Sequence, residues 1–235
     1  MNVEMNIKEF IKLELQGWTK QEIIGLSIVI IIILMNAFLL KDSPIAIMSA
    51  FCGIMYTIIA GKGKISCYIF GLLGSSCYGY LSLKSALYGN LLLYMGYYIP
   101  MQILGIFQWK KNLNKKTNEI LKAKLPKKEL LILSIFTIFL CLVSIIVLKY
   151  CHDGNPYIDG ITTILSILGM YLTVKRCIEQ WIIWAIVNGL SIIMWTNIVL
   201  HGAKTYSTIL MWIVYFILSI YFFFKWKTEM LCIKK

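Results

Sequence analysis

EQWIIWAIVNGLSIIMW, residues 179 to 195, has the length and apolar content of a helix that crosses a bilayer. About 20 residues at 1.5 Å each span roughly 30 Å of hydrocarbon. The run is not uniformly apolar. On a 100° wheel Trp181, Trp184, Asn188, Ser191 and Trp195 fall within about 80° of one another, and isoleucines, Ala185 and Val187 take most of the rest. Lipid neither stacks on indoles nor hydrogen-bonds a carboxamide, so such a stripe fits a face turned to protein or to a cavity. The cavity reading suits a flat, ring-bearing, hydrogen-bonding solute. A second reading stays open beside it, in which Trp181 and Trp195 anchor the span at the two interfaces and Asn188 bonds a neighbouring helix.

Outward from this run the whole chain reads as membrane protein. Of 235 residues, 59% are hydrophobic and 14% charged, too little charge for a soluble domain. Hydrophobic spans are expected at about 22–40, 44–61, 65–84, 89–109, 129–149, 157–175, 180–200 and 205–225, after a mixed-charge arm over residues 1–20. That arm is compatible with a surface helix or a solvated tail. The first span lacks a small-residue cleavage site and is expected to be retained. Breaks at Lys41-Asp42-Ser43-Pro44, Gly61-Lys62-Gly63-Lys64 and Asn155-Pro156 carry turn residues and helix-starting prolines. The one long connection, 110–128, is rich in lysine and divides the chain.

The net charge of +12 follows this topology. With both termini inside, nineteen Lys and Arg fall on the cytoplasmic side, and only Lys41, Lys84, Lys149 and Lys204 on the other. So uneven a split orients the chain and argues against a nucleic-acid surface. Contact of the basic loop with anionic membrane lipid remains compatible with it.

A shift of 117 residues puts Trp109-Lys110 on Trp226-Lys227, Tyr98 on Tyr215, Ala86 on Ala203, Leu73 on Leu190 and Tyr78 on Trp195. Three spans, one linker span and three more make two parallel three-helix repeats, the linker restoring the orientation of the second. The boundaries expected are an arm and extra helix over 1–43, a first repeat over 44–110, a loop and linker helix over 111–156, a second repeat over 157–228 and a tail over 229–235. In such folds the solute sits at mid-membrane, which brings in Tyr94, Tyr98, Met101, Gln102 and Gly105 from the first half and Asn197 from the second. Packing alone is an equal reading for Gln102 and the tyrosines. Gly71, Gly74 and Gly79 are expected to let helices approach.

Enzymatic and driven mechanisms lack their residues. None of the eleven acidic residues falls at the centre of a span, which favours passive movement over ion coupling. No phosphate-binding GxxxxGK[ST] loop, HExxH or GxSxG is present. The seven cysteines form no CxxC pair, and His152 and His201 lie far apart, so neither a metal site, a cofactor nor a disulfide framework is expected.

Two runs, TTILSILGMYLTVKRCIEQWIIWAIVNGLSIIMW at 162–195 and LYGNLLLYMGYYIPMQILGIFQWKK at 87–111, resemble the PnuC family of bacterial vitamin transporters. The specific pieces are the WxxWxxxN pattern of Trp181, Trp184 and Asn188 and the YxxPMQxxGxxxW pattern from Tyr97 to Trp109. The resemblance implies an all-α membrane fold of three-plus-one-plus-three helices, similar to SWEET sugar carriers, with an additional amino-terminal helix. It further implies uptake of nicotinamide riboside by facilitated diffusion across the bacterial plasma membrane, trapping by a cytoplasmic kinase, and a homotrimer. Substrate contacts carry over to Trp181, Trp184, Asn188 and Gln102, and less specifically to Tyr98 and Asn197. Thiamine, riboflavin and deoxynucleosides are alternative cargoes on the same fold. A receptor or assembly subunit that moves nothing is the alternative of another class.

Overall fold

The computed structural model describes residues 12–14, 16–40, 43–84, 88–114, 117–152, 154–201 and 206–232. Most of the predicted arm, the 41–42 and 202–205 turns, Ala86 and the last three tail residues lie outside them. Among the described residues the chain is helical, with isolated β-bridges only. The helices are α1 Lys20–Leu40, α2 Pro44–Lys62, α3 Cys67–Lys84, α4 Tyr88–Leu91, a π-helical segment Leu92–Tyr98, α5 Ile99–Lys110, α6 Lys127–Tyr150, α7 Pro156–Val174, α8 Gln180–Leu200 and α9 Tyr206–Cys232. Pro44–Lys62, Lys127–Tyr150, Pro156–Val174 and Thr208–Cys232 are long and apolar enough to cross a membrane. Helix α6 shows why: most of its leucines, isoleucines and phenylalanines are exposed, with Thr137 its one buried residue. Lipid is the solvent for that surface. All seven cysteines are free thiols.

The chain forms two compact units, Met1–Leu121 and Lys122–Lys235. In the first, α3 packs on α2 and on α5, and α1 lies against α2. Ser43 caps α2 by accepting from the Ala46 amide at 3.3 Å, with Pro44 in the first turn where its missing N–H is no loss. The helix ends at Gly63, whose φ of 72° suits a residue without Cβ. The Gly63 and Lys64 amides return to the Ala60 and Ile59 carbonyls at 2.9 and 3.2 Å. The glycines of α3 admit neighbours closely. A Cβ on Gly71 would lie 2.8 Å from the Tyr56 ring, on Gly74 3.1 Å from Cys52, and on Gly79 2.7 Å from the Met95 sulfur.

The fourth span expected over 89–109 is one helical run in three parts, α4, a π-segment and α5. Pro100 supplies the reason. It has no N–H to return to residue 96, and its ring crowds that carbonyl. The chain widens instead, the Ile99 amide reaching five residues back to the Tyr94 carbonyl.

The described part of the amino-terminal arm docks on the α2–α3 turn through ions. Lys64, 1% exposed, donates to the Leu13 and Thr117 carbonyls at 2.8 and 2.7 Å and lies 3.9 Å from the Glu119 carboxylate. Lys62 donates to the Gly17 carbonyl at 2.6 Å and to Glu22 at 2.9 Å. Glu14 accepts from Ser66 and, at 2.8 Å, from Asn118. Burial raises the Glu14 carboxyl and lowers the Lys64 ammonium from their ordinary values. Replacing Lys64 by methionine keeps the stem and strands two carbonyls in a dry place, so we expect a loss of about 2–4 kcal/mol, read as a lower thermal midpoint in detergent.

In the second unit α8 packs on α7 and on α9, and α6 on α7. Helix α7 begins with Pro156 and closes through the Arg176 and Cys177 amides, which bond the Thr173 and Leu172 carbonyls at 2.9 Å each. Here a non-glycine, Arg176, holds a φ of 62°. The segment after Lys122 laces this turn: the Ala123 amide bonds the Arg176 carbonyl, the Ile178 amide bonds the Ala123 carbonyl, and the Leu125 amide reaches Glu179.

Candidate functional site

Trp181 opens α8 with its ring inside the second unit, 3% exposed. It lies at 5.1 Å from Phe222 and edge-on to Trp226 at 5.6 Å, both rings of α9. Trp226 is itself covered by the Lys122 ammonium, which pairs with Glu229. The indole N–H of Trp181 is buried and has no partner among the described residues. The interface-anchor reading therefore does not describe Trp181, whose ring faces α9 rather than headgroups.

Trp184 is half-buried and turned the other way round the helix, onto α7. Its N–H donates to the Thr173 hydroxyl at 3.3 Å, which in turn donates to the Gly169 carbonyl at 2.8 Å. A Cβ on Gly169 would stand 2.9 Å from the indole, so the glycine makes the seat for the ring.

Asn188 is 5% exposed, and its amide nitrogen donates to the Ser219 hydroxyl at 3.0 Å. Ser219 donates to the Tyr215 carbonyl one turn back at 2.8 Å. Ser191 is buried on the same face. Asn197 is exposed near the end of α8, where its carbonyl meets the His201 amide and ring nitrogen.

In the first unit Gln102 is 3% exposed, and its amide nitrogen donates to the Ser75 hydroxyl at 2.9 Å. Its carbonyl oxygen is buried with no partner among the described residues. Tyr98 ends the π-segment in a ladder of rings: Tyr78 to Tyr94 at 4.3 Å, Tyr94 to Tyr98 at 4.9 Å and Tyr97 to Tyr98 at 5.9 Å. No group of three or more His, Cys, Asp or Glu able to hold a metal occurs among the described residues.

Reading the sequence missed Tyr68, Ser75 and Ser219. Tyr68 is fully buried, edge-on to Trp109 at 5.0 Å, and its hydroxyl lacks a partner among the described residues. Serines inside apolar spans carry little signal of their own. The signal that could have found Ser219 is the shift of 117, which moves Gln102 onto it.

Residues 43–228 match the family model described as nicotinamide mononucleotide transporter. The nicotinamide riboside transporter PnuC of Neisseria mucosa is 31% identical over 215 residues, covering 89% of this chain and 82% of the relative. That of Haemophilus influenzae is 31% identical over 212 residues, covering 89% and 91%. That of Escherichia coli K12 is 23% identical over 167 residues, 60% of this chain and 70% of its own. Among solved structures, the crystal structure of the vitamin B3 transporter PnuC matches with a TM-score of 0.80 at 31% identity, over 93% of this chain and 96% of that one.

Proposed function

The chain belongs to the nicotinamide mononucleotide transporter family, and from that premise we propose that it is a multi-pass membrane transporter carrying nicotinamide riboside into the cell. The observation that carries the reading is a pair of polar atoms. The Gln102 carbonyl oxygen and the Trp181 indole N–H, both at positions expected to bind solute, are buried without a partner among the described residues. An unmet buried polar group costs about 1–3 kcal/mol, a penalty that a passing solute with complementary groups relieves. The carboxamide of nicotinamide riboside carries both a donor and an acceptor. Its cationic pyridinium ring gains about 0.5–2 kcal/mol against an indole.

The riboside fits better than the mononucleotide. A phosphate is held most strongly by a cation, and Trp181, Trp184, Asn188, Gln102, Tyr98 and Asn197 are all uncharged.

We further infer eight spans, in two parallel triplets joined by α6 and preceded by α1, with both termini cytoplasmic and the solute passing by alternating access at mid-membrane. Support for the repeat lies in matching bonds. Moved forward by 113 residues, Gly63 falls on Arg176, Tyr68 on Trp181 and Ser75 on Asn188, and the turn bonds of Gly63, Lys64, Cys67 and Tyr68 fall on those of Arg176, Cys177, Gln180 and Trp181. The third helices match at 117, where Gln102 falls on Ser219 and Trp109 on Trp226. One uniform shift of 117 is thus replaced by two that differ by a helical turn. Movement is by facilitated diffusion, since the candidate residues include no charge to couple an ion, and a cytoplasmic kinase traps the product. A homotrimer in the plasma membrane is the assembly we propose.

Titration of the purified protein with nicotinamide riboside, its mononucleotide, thiamine, riboflavin and a deoxynucleoside tests the cargo. We expect micromolar binding of the riboside and at least a hundredfold weaker binding of the rest. Tight binding of thiamine alone would reject the riboside. In vesicles, downhill flux should persist once proton and sodium gradients are collapsed.

A further inference from the structure

The hydroxyl of Ser219 is committed. It has a single proton, and that proton goes to the Tyr215 carbonyl at 2.8 Å. Toward Asn188 it therefore presents lone pairs only. An asparagine amide can be turned two ways of nearly equal shape. Only the one that aims NH₂ at Ser219 makes the 3.0 Å bond, because the other would set two acceptors face to face. The Asn188 carbonyl oxygen is consequently turned away from α9's serine. Gln102 repeats the arrangement in its own unit: its NH₂ is held by the Ser75 hydroxyl at 2.9 Å, and its carbonyl oxygen is buried with no partner among the described residues.

We propose that Ser219 is a positioning residue that fixes the polarity of Asn188, so that the transporter offers carbonyl acceptors and selects a solute that donates hydrogen bonds, the carboxamide riboside over its carboxylate counterpart. The inference rests on the riboside reading above. A carboxamide gives an N–H donor to such a carbonyl. A carboxylate has no proton to give and adds a negative charge that the acceptors repel. Rejection by unpaired buried groups is the strong form of selectivity, much larger than rejection by size.

Replacing Ser219 by alanine removes the only group that tells the two amide orientations apart in this contact, and Asn188 then turns to suit either solute. Ser219→Thr keeps a hydroxyl that bonds the carbonyl one turn back. The test is calorimetric titration of the full-length protein in detergent with nicotinamide riboside and with the same riboside bearing a carboxylate, alongside thermal unfolding. We expect the wild type to prefer the carboxamide by at least a hundredfold, Ser219→Ala to narrow that ratio about tenfold, and Ser219→Thr to restore it. Ser219→Ala weakening both solutes alike, or neither, would assign the serine a packing role and overturn the proposal. A wild type that binds the two ribosides equally overturns it and leaves the riboside reading standing. Binding of neither overturns both.

Discussion

Gln102→Leu should lower the affinity for nicotinamide riboside about a hundredfold while leaving the thermal midpoint of the empty protein unchanged or raised. The two halves of that expectation come from the same atoms. The Gln102 carbonyl oxygen is buried without a partner among the described residues, so a leucine of similar volume removes a penalty and fills the space. The Ser75 hydroxyl loses the amide it accepts from, and as a serine on a helix it can turn its proton to a backbone carbonyl one turn back. In the complex the situation reverses, since the solute's carboxamide N–H would be buried against methyl groups. Losing a buried bond of that kind costs about 1–3 kcal/mol, and 1.4 kcal/mol is tenfold in affinity. A purely structural glutamine would move stability and affinity together in the unfavourable direction. Titration and thermal melting of the same preparation separate the two, and unchanged affinity would remove Gln102 from the site.

Opposed effects on stability and binding are the general signature of a functional polar group inside a membrane protein. They also mark where the sequence could be read and where it could not. Helix starts at Pro44 and Pro156 were legible because proline and the preceding Ser or Asn leave few alternatives to a first turn. The basic connection was legible from lysine density, and the division between the compact units falls within it. The wheel gathered Trp181, Trp184 and Asn188 onto one side of α8, yet they serve different neighbours. Trp181 and Asn188 meet α9, whereas Trp184 leans onto α7 over Gly169. A wheel gives azimuth; it holds no information on which helix waits at each angle or where a glycine has opened a seat. The π-segment was hidden for a related reason. Pro100 announces a disturbance, but how far before it the helix widens, here over Leu92–Tyr98, is not written in the proline itself. For the repeat proposed above, identities alone suggested the shift of 117 and not that of 113, because composition-driven identities between membrane helices mask a slip of one turn.

The largest expected effect on the fold itself lies at Gly105. A Cβ built there would sit far inside van der Waals contact with the Tyr68 hydroxyl and its ring carbons, 2.5 Å from Cε1. Such overlap is harmless only where the intruding atom belongs to a side chain that can swing away. Tyr68 is fully buried, with Trp109 edge-on at 5.0 Å and Tyr56 at 6.2 Å, so its ring has no empty rotamer to occupy. Gly105→Ala must push α5 from α3 or force Tyr68 off its rotamer, and we expect it to destabilise the protein by about 3 kcal/mol or to prevent its recovery in folded form. Truncating the obstacle isolates the cause. Tyr68→Leu alone should cost about 2–4 kcal/mol through the cavity it leaves. Combined with Gly105→Ala it should cost clearly less than the two losses added, because the new methyl enters space that the phenol has vacated. Melting midpoints of the four proteins give the coupling directly. Strict additivity would mean that α3 and α5 part freely at this level, and that the close approach of Tyr68 to Gly105 does not hold the first unit together.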